Sequence, residues 1–233
     1  MLEMIFVEHV QYSEPAEMAP LDVLAIAAHP DDVEQTCGGT LIRMAEMGYR
    51  TGVLDLTAGE MGTRGTPQRR LAESEEAGRR LLLKWRGNLR LPDARLENNI
   101  MARMTLAGAI RLVRPSVVIL PYWEGRHPDH YRTSELGYEA CFASGLAKLD
   151  EDTPPHRPHK ILHESSYARV APTFVVDITG QFERRMKSLL GYESQYADQP
   201  EAAGLFPGSS AVRERLEMVA RYYGHQIGVK YGE

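Results

Sequence analysis

The chain has 233 residues, 43% of them hydrophobic, enough for one α/β domain with a sizeable core. A formal net charge of -5 and a pI near 5.9, with basic residues interleaved among acidic ones, exclude the electrostatic footprint of a nucleic-acid-binding protein. Two cysteines outside any C-x-x-C spacing, Cys37 and Cys141, argue against a disulfide framework and for a reducing, cytoplasmic setting, and no apolar stretch approaches the roughly 20 residues of a membrane span.

Residues 1–20 carry Glu3, Glu8, Glu14 and Glu17 and lack a basic start, so they read as an N-terminal extension rather than a secretory signal. Within it, Met4 to Val7 could pair at a sheet edge. Residues 21–233 are expected to form one domain. The run Leu21 to Ala27, apolar after Asp22, reads as a buried parallel strand, which puts Ala28-His29-Pro30-Asp31-Asp32 at its carboxyl end, where open α/β sheets bind ligands. An imidazole and two carboxylates within four residues are too polar to serve packing there.

Cys37 to Gly48 has the spacing of a helix, stopped by Gly48. Gly38-Gly39 either presents helix N–H groups to an anion or lets helix and strand pack closely. Gly52 to Thr57 predicts a second strand, followed by the glycine-rich loop Ala58 to Gly65, which is neither G-x-G-x-x-G nor a Walker loop. Glu60 and Arg64 on that loop are placed to meet a substrate, Arg64 by clamping a carboxylate. Thr66-Pro67 reads as a helix start, and the charges of the helix up to about Leu83, Arg69-Arg70 among them, read as a solvated face with i,i+4 pairs.

Asn88 to Asp93 predicts a short strand ending in a rim carboxylate, Asp93, and Met101 to Val113 a helix. Ser116 to Tyr122 predicts another buried strand, after which comes a second constellation, His127-Pro128-Asp129-His130. Arg132 to Ala147 reads as a helix with Cys141 in the core, and the histidines of the 153–159 loop as solvent-exposed. Lys160 to Tyr167 and Phe174 to Thr179 read as two strands, a hairpin-like addition. Helices at about 180–192 and 210–223 close the chain. The whole predicts an α/β, three-layer, Rossmann-like fold with a mostly parallel sheet and helices on both faces.

Two strands of one sheet would bring both His-Pro-Asp groups to the same rim. Catalytic zinc takes three protein ligands and keeps a position for water. His29, Asp32 and one histidine of the second group would supply that set, with Asp31 left over as a base.

Ala28 to Asp32, Gly38-Gly39-Thr40 and Arg126 to His130, in this order, resemble the LmbE/PIG-L family of zinc-dependent N-acetylglucosaminyl deacetylases. Leu56 to Thr66, Leu91-Pro92-Asp93, Tyr192 to Tyr196 and Gly228 to Tyr231 are similar to its bacillithiol-biosynthesis branch. The resemblance implies that His29, Asp32 and His130 bind one zinc, or ferrous iron, per subunit and that Asp31 is the general base. His127, oriented and kept protonated by Asp129, would meet the oxyanion or protonate the leaving amine. The implied substrate is a small amino sugar, N-acetylglucosaminyl malate, with Glu60, Arg64 and Asp93 contacting it. The implied assembly is a homo-oligomer such as a hexamer, with the C-terminal helix as a candidate interface. No aromatic platform for the sugar is legible. The rival readings are a deacetylase of another amino sugar, a metallo-phosphoesterase, and a non-catalytic metal-binding scaffold.

Overall fold

The apolar run after Asp22 forms a central strand of a six-stranded sheet in the computed structural model, which describes residues 8–10, 19–149, 153–165, 168, 170–197 and 208–233. In chain order the strands are β1 (Glu8–Val10), β2 (Val23–Ala27), β3 (Thr51–Asp55), β4 (Trp85–Asn88), β5 (Val117–Leu120) and β6 (Lys160–His163). Across the sheet they lie in the order β1-β4-β3-β2-β5-β6. Strands β2 to β6 are parallel neighbours, and β1 lies antiparallel on β4 as an edge strand. The segment expected at a sheet edge, Met4 to Val7, lies outside the described residues; the edge strand is formed by the three residues after it.

The helices are α1 (Asp32–Thr36), α2 (Gly38–Glu46), α3 (Pro67–Arg80), α4 (Ile100–Val113), α5 (Pro128–Ala143), α6 (Phe182–Leu189), α7 (Glu193–Tyr196) and α8 (Ser209–Gln226). Successive side chains of a strand point to opposite faces, and β2 shows what that does here. Leu24 and Ile26 pack in one core with Leu106 and Ile110 of α4 and Leu136 and Ala140 of α5. Val23, Ala25 and Ala27 join Leu41 and Ile42 of α2 in another. Both faces are covered, which is why β2 and β5 read as unbroken apolar runs. A third cluster joins Phe182, Met186 and Leu189 of α6 to Val212, Leu216 and Ala220 of α8.

Three expectations shift. The strand predicted over Asn88 to Asp93 is Trp85–Asn88 instead: Trp85 and Gly87 fill the strand positions, and Asp93 falls on the rim loop beyond. The helix predicted from Arg132 begins at Pro128, because Pro128 fits the first helical position, where its missing N–H costs nothing. Among the described residues no hairpin forms: β6 pairs in parallel with β5, and residues 174–179 contribute a single bridge, Asp177 to Gly232.

The chain runs outward from β2 through β3 to β4, then returns to the other side of β2 with β5. The sheet therefore changes direction between β2 and β5, and a crevice opens at their carboxyl ends. Both His-Pro-Asp groups lie there. No helix among the described residues is long and apolar enough to cross a membrane.

Candidate metal and catalytic site

His29 leaves β2 and Asp32 opens α1. The Asp32 carboxylate accepts the His29 backbone N–H at 2.9 Å, which closes the turn and brings its Oδ2 within 3.3 Å of His29 Nδ1. The same oxygen lies 3.3 Å from His130 Nε2. One ligand atom from each of His29, Asp32 and His130 falls within 4.8 Å of the other two, so one small cation fits among them. The other ring nitrogen of His29, Nε2, meets Asp93 Oδ1 at 3.0 Å and Asp129 Oδ2 at 3.4 Å. A carboxylate on the far nitrogen is the usual way a metal-ligating histidine is oriented. The donor set thus suits a divalent ion with imidazole and carboxylate ligands.

The electrostatics follow from crowding. Burial opposes a charged His29 ring, but hydrogen bonds to Asp129, Asp32 and Asp93 outweigh it and carry its pKa to about 12. Burial also opposes the Asp32 carboxylate, yet the His130 charge and bonds to both histidines hold its pKa well below the carboxylate range. Burial likewise works against ionised Asp93, which the His29 bond and the Met61 N–H nevertheless bring down to about 2. The cluster holds more carboxylate than imidazole, and a cation is the natural complement.

Asp31 differs from its neighbours. It is the N-cap of α1 with φ 100°, in the left-handed region, which a non-glycine residue adopts only when its surroundings hold it there. Arg70 of α3 donates to Asp31 Oδ1 at 2.9 Å and to the Pro30 carbonyl at 2.9 Å. The Tyr196 hydroxyl donates to Asp31 Oδ2. Burial pushes the carboxyl up to about 6, with Arg70 opposing. Neither partner is legible in sequence terms as a site residue. Arg70 stands among the many charges of α3 and is buried rather than solvated. The signal for it is Gly59: with φ +66°, a Cβ there would lie 2.1 Å from Arg70 Nη1, so the loop glycine makes room for the guanidinium.

His127 caps α5 and its Nδ1 accepts the Asp129 N–H at 3.3 Å, leaving Nε2 as the ring's donor. Its ring stacks on His130 with centroids 4.8 Å apart. The Asp129 carboxylate meets His29 and the Ala94 N–H, and burial with the charges of His29 and His130 lowers the His127 pKa, with Asp32 and Asp129 opposing.

The three residues expected to contact substrate have partners within the protein. Glu60 accepts the Asp93 N–H at 2.7 Å, Asp93 accepts the Met61 N–H at 2.8 Å and holds His29, and Arg64 donates to the Gln195 carbonyl at 2.7 Å. Arg64 thus clasps the glycine-rich loop to α7. Of the three, Asp93 lines the main cleft, with His29, Asp31, Asp32, His127 and His130. Arg126 and Arg215 bring positive charge to the same cleft. The glycine pair is settled by contacts: the N–H groups of Gly39 and Thr40 are taken by the Glu233 carboxylate.

Known proteins are similar to this chain in sequence and fold. The conserved protein TT1542 from Thermus thermophilus superposes with a TM-score of 0.83 at 40% identity over 91% of this chain and 92% of its own. Diacetylchitobiose deacetylase of Thermococcus kodakarensis is 30% identical over 91% of this chain and 80% of its own length. A probable N-acetyl-alpha-D-glucosaminyl L-malate deacetylase 2 of Bacillus anthracis is 27% identical over 75% and 81%. The family model of PIG-L, GlcNAc-PI de-N-acetylase, matches residues 24–141, a span that runs from β2 through the second His-Pro-Asp group. The chain belongs to the PIG-L family of de-N-acetylases.

Proposed function

We propose that the protein is a zinc-dependent hydrolase that removes the acetyl group from an N-acetylglucosaminyl conjugate. The observation that carries this reading is the convergence of His29, Asp32 and His130 around one point, with a fourth group, Asp31, in the same cleft. Zinc held by the three would polarise the acetamide carbonyl and acidify the attacking water. Asp31 takes the water's proton: a carboxyl raised to about 6 lies close enough to neutrality to act as a base. Arg70 and Tyr196 fix both its oxygens and keep its orientation. His127, with Nε2 as donor, stabilises the oxyanion through a hydrogen bond, and the proton taken up by Asp31 passes to the departing amine nitrogen as the C–N bond breaks. Asp129 and Asp93 act through His29.

N-acetylglucosaminyl malate is one substrate this reading takes. The Bacillus relative supports it, and Arg126 in the cleft supplies a partner for a carboxylate. Diacetylchitobiose is the second, supported by the greater identity of the Thermococcus enzyme and its match to more of this chain. The test is release of primary amine by the zinc-loaded protein from each compound and from N-acetylglucosamine. Release from at least one is expected, and no release from any, with metal bound, would leave the phosphoesterase or scaffold reading.

A further inference from the structure

We infer that Trp123 is a stacking platform for a second pyranose ring, so that the conjugate this site accepts is a saccharide. The inference rests on the deacetylase reading and chooses between its two substrates. Trp123 lies on the loop from β5 to α5 and is 54% exposed. Its ring is nevertheless held. The Tyr122 ring lies 4.1 Å away at a tilt of 31°, and the His163 ring, at the end of β6, meets it edge-on at 4.9 Å and 84°. His163 is in turn fixed by a hydrogen bond between its Nδ1 and the Pro121 carbonyl at 2.9 Å.

An indole with this much surface in water and two aromatic braces is preorganised, so a ligand that covers it loses little side-chain entropy. Its position points to the site. The chain continues from Trp123 through Gly125 and Arg126, both lining the catalytic cleft, to His127. That stretch of chain spans at most about 14 Å, the reach of one further sugar. Ala168, beyond β6, lines the same cleft. A pyranose presents axial C–H groups on one face and suits an aromatic surface. Malate has no such face.

The chain holds two tryptophans, and the other, Trp85, is 1% exposed in the core, so fluorescence reports on Trp123 selectively. Diacetylchitobiose added to the zinc-loaded protein is expected to shift the emission to the blue and to protect it from acrylamide, and N-acetylglucosamine to do so less. Trp123→Ala should abolish the change and lower the ratio of kcat/KM for the disaccharide over the monosaccharide about tenfold, with Trp123→Phe in between. An unchanged ratio, or emission indifferent to saturating disaccharide, would overturn the platform. If no compound is turned over at all, the deacetylase reading fails, and the fluorescence arm still decides whether Trp123 meets a sugar.

Discussion

Asp31 and Asp32 are adjacent carboxylates with opposite environments. Asp32 faces two histidines and is held ionised; Asp31 faces a guanidinium and a phenol and is raised by burial. Asn tolerates left-handed backbone almost as well as Asp, so Asp31→Asn should fold, keep its metal and lose turnover by about 10²- to 10⁴-fold. His29→Ala should lose the metal itself. Metal content and kcat measured on both variants check the division, and near-parental turnover in Asp31→Asn would remove the base assignment. The acid pair and the histidines are legible in the sequence because they stand alone at strand ends. Arg70 and Tyr196 are not, because nothing local separates a buried arginine from its solvated neighbours on a charged helix.

At the scale of elements, boundaries followed turn chemistry more closely than hydrophobic runs. Thr66 accepts the Arg69 N–H as the cap of α3, as its spacing before Pro67 predicts, and Thr66→Ala should cost about 1 kcal/mol. What no periodicity reveals is the charged network beneath α1. Arg86 of β4 donates to both oxygens of Asp55, at 2.9 and 3.1 Å, and to Glu34 at 2.6 Å, and Tyr192 adds a bond to Glu34 at 3.1 Å. Arg185 donates to the Glu34 and Gln35 carbonyls. These contacts fasten a helix of five residues that begins at Asp32 and is preceded by Asp31 as its N-cap. Arg86→Met leaves two buried carboxylates without their cation and should cost about 3–5 kcal/mol, read from the midpoint of urea unfolding.

The mostly parallel sheet and the rim on which the two motifs meet were legible, because buried strands flanked by helical spacing leave few topologies; the order of the strands was not. Placement of the edge strand and the C-terminal segments was not, since each depends on contacts distant in sequence. The fold also silences its thiols. Cys37 and Cys141 are both buried and unpaired; burial raises the first well above the usual thiol range and the second to about 12. At pH 8 the thiolate fraction is negligible at either position, so neither should react with a disulfide reagent in the native protein. Two equivalents should appear on unfolding in urea, and rapid native labelling would contradict this burial.

The Glu233 carboxylate, which takes the N–H groups of Gly39 and Thr40, also pairs with buried Arg185 at 3.1 Å. The contact joins residues 194 positions apart, and its loop closes late. During synthesis on the ribosome, the start of α2 therefore stays uncapped until the chain has emerged as far as residue 233. A nascent chain stalled short of that point should show the β2–β3 pairing protected while the start of α2 is still open to protease.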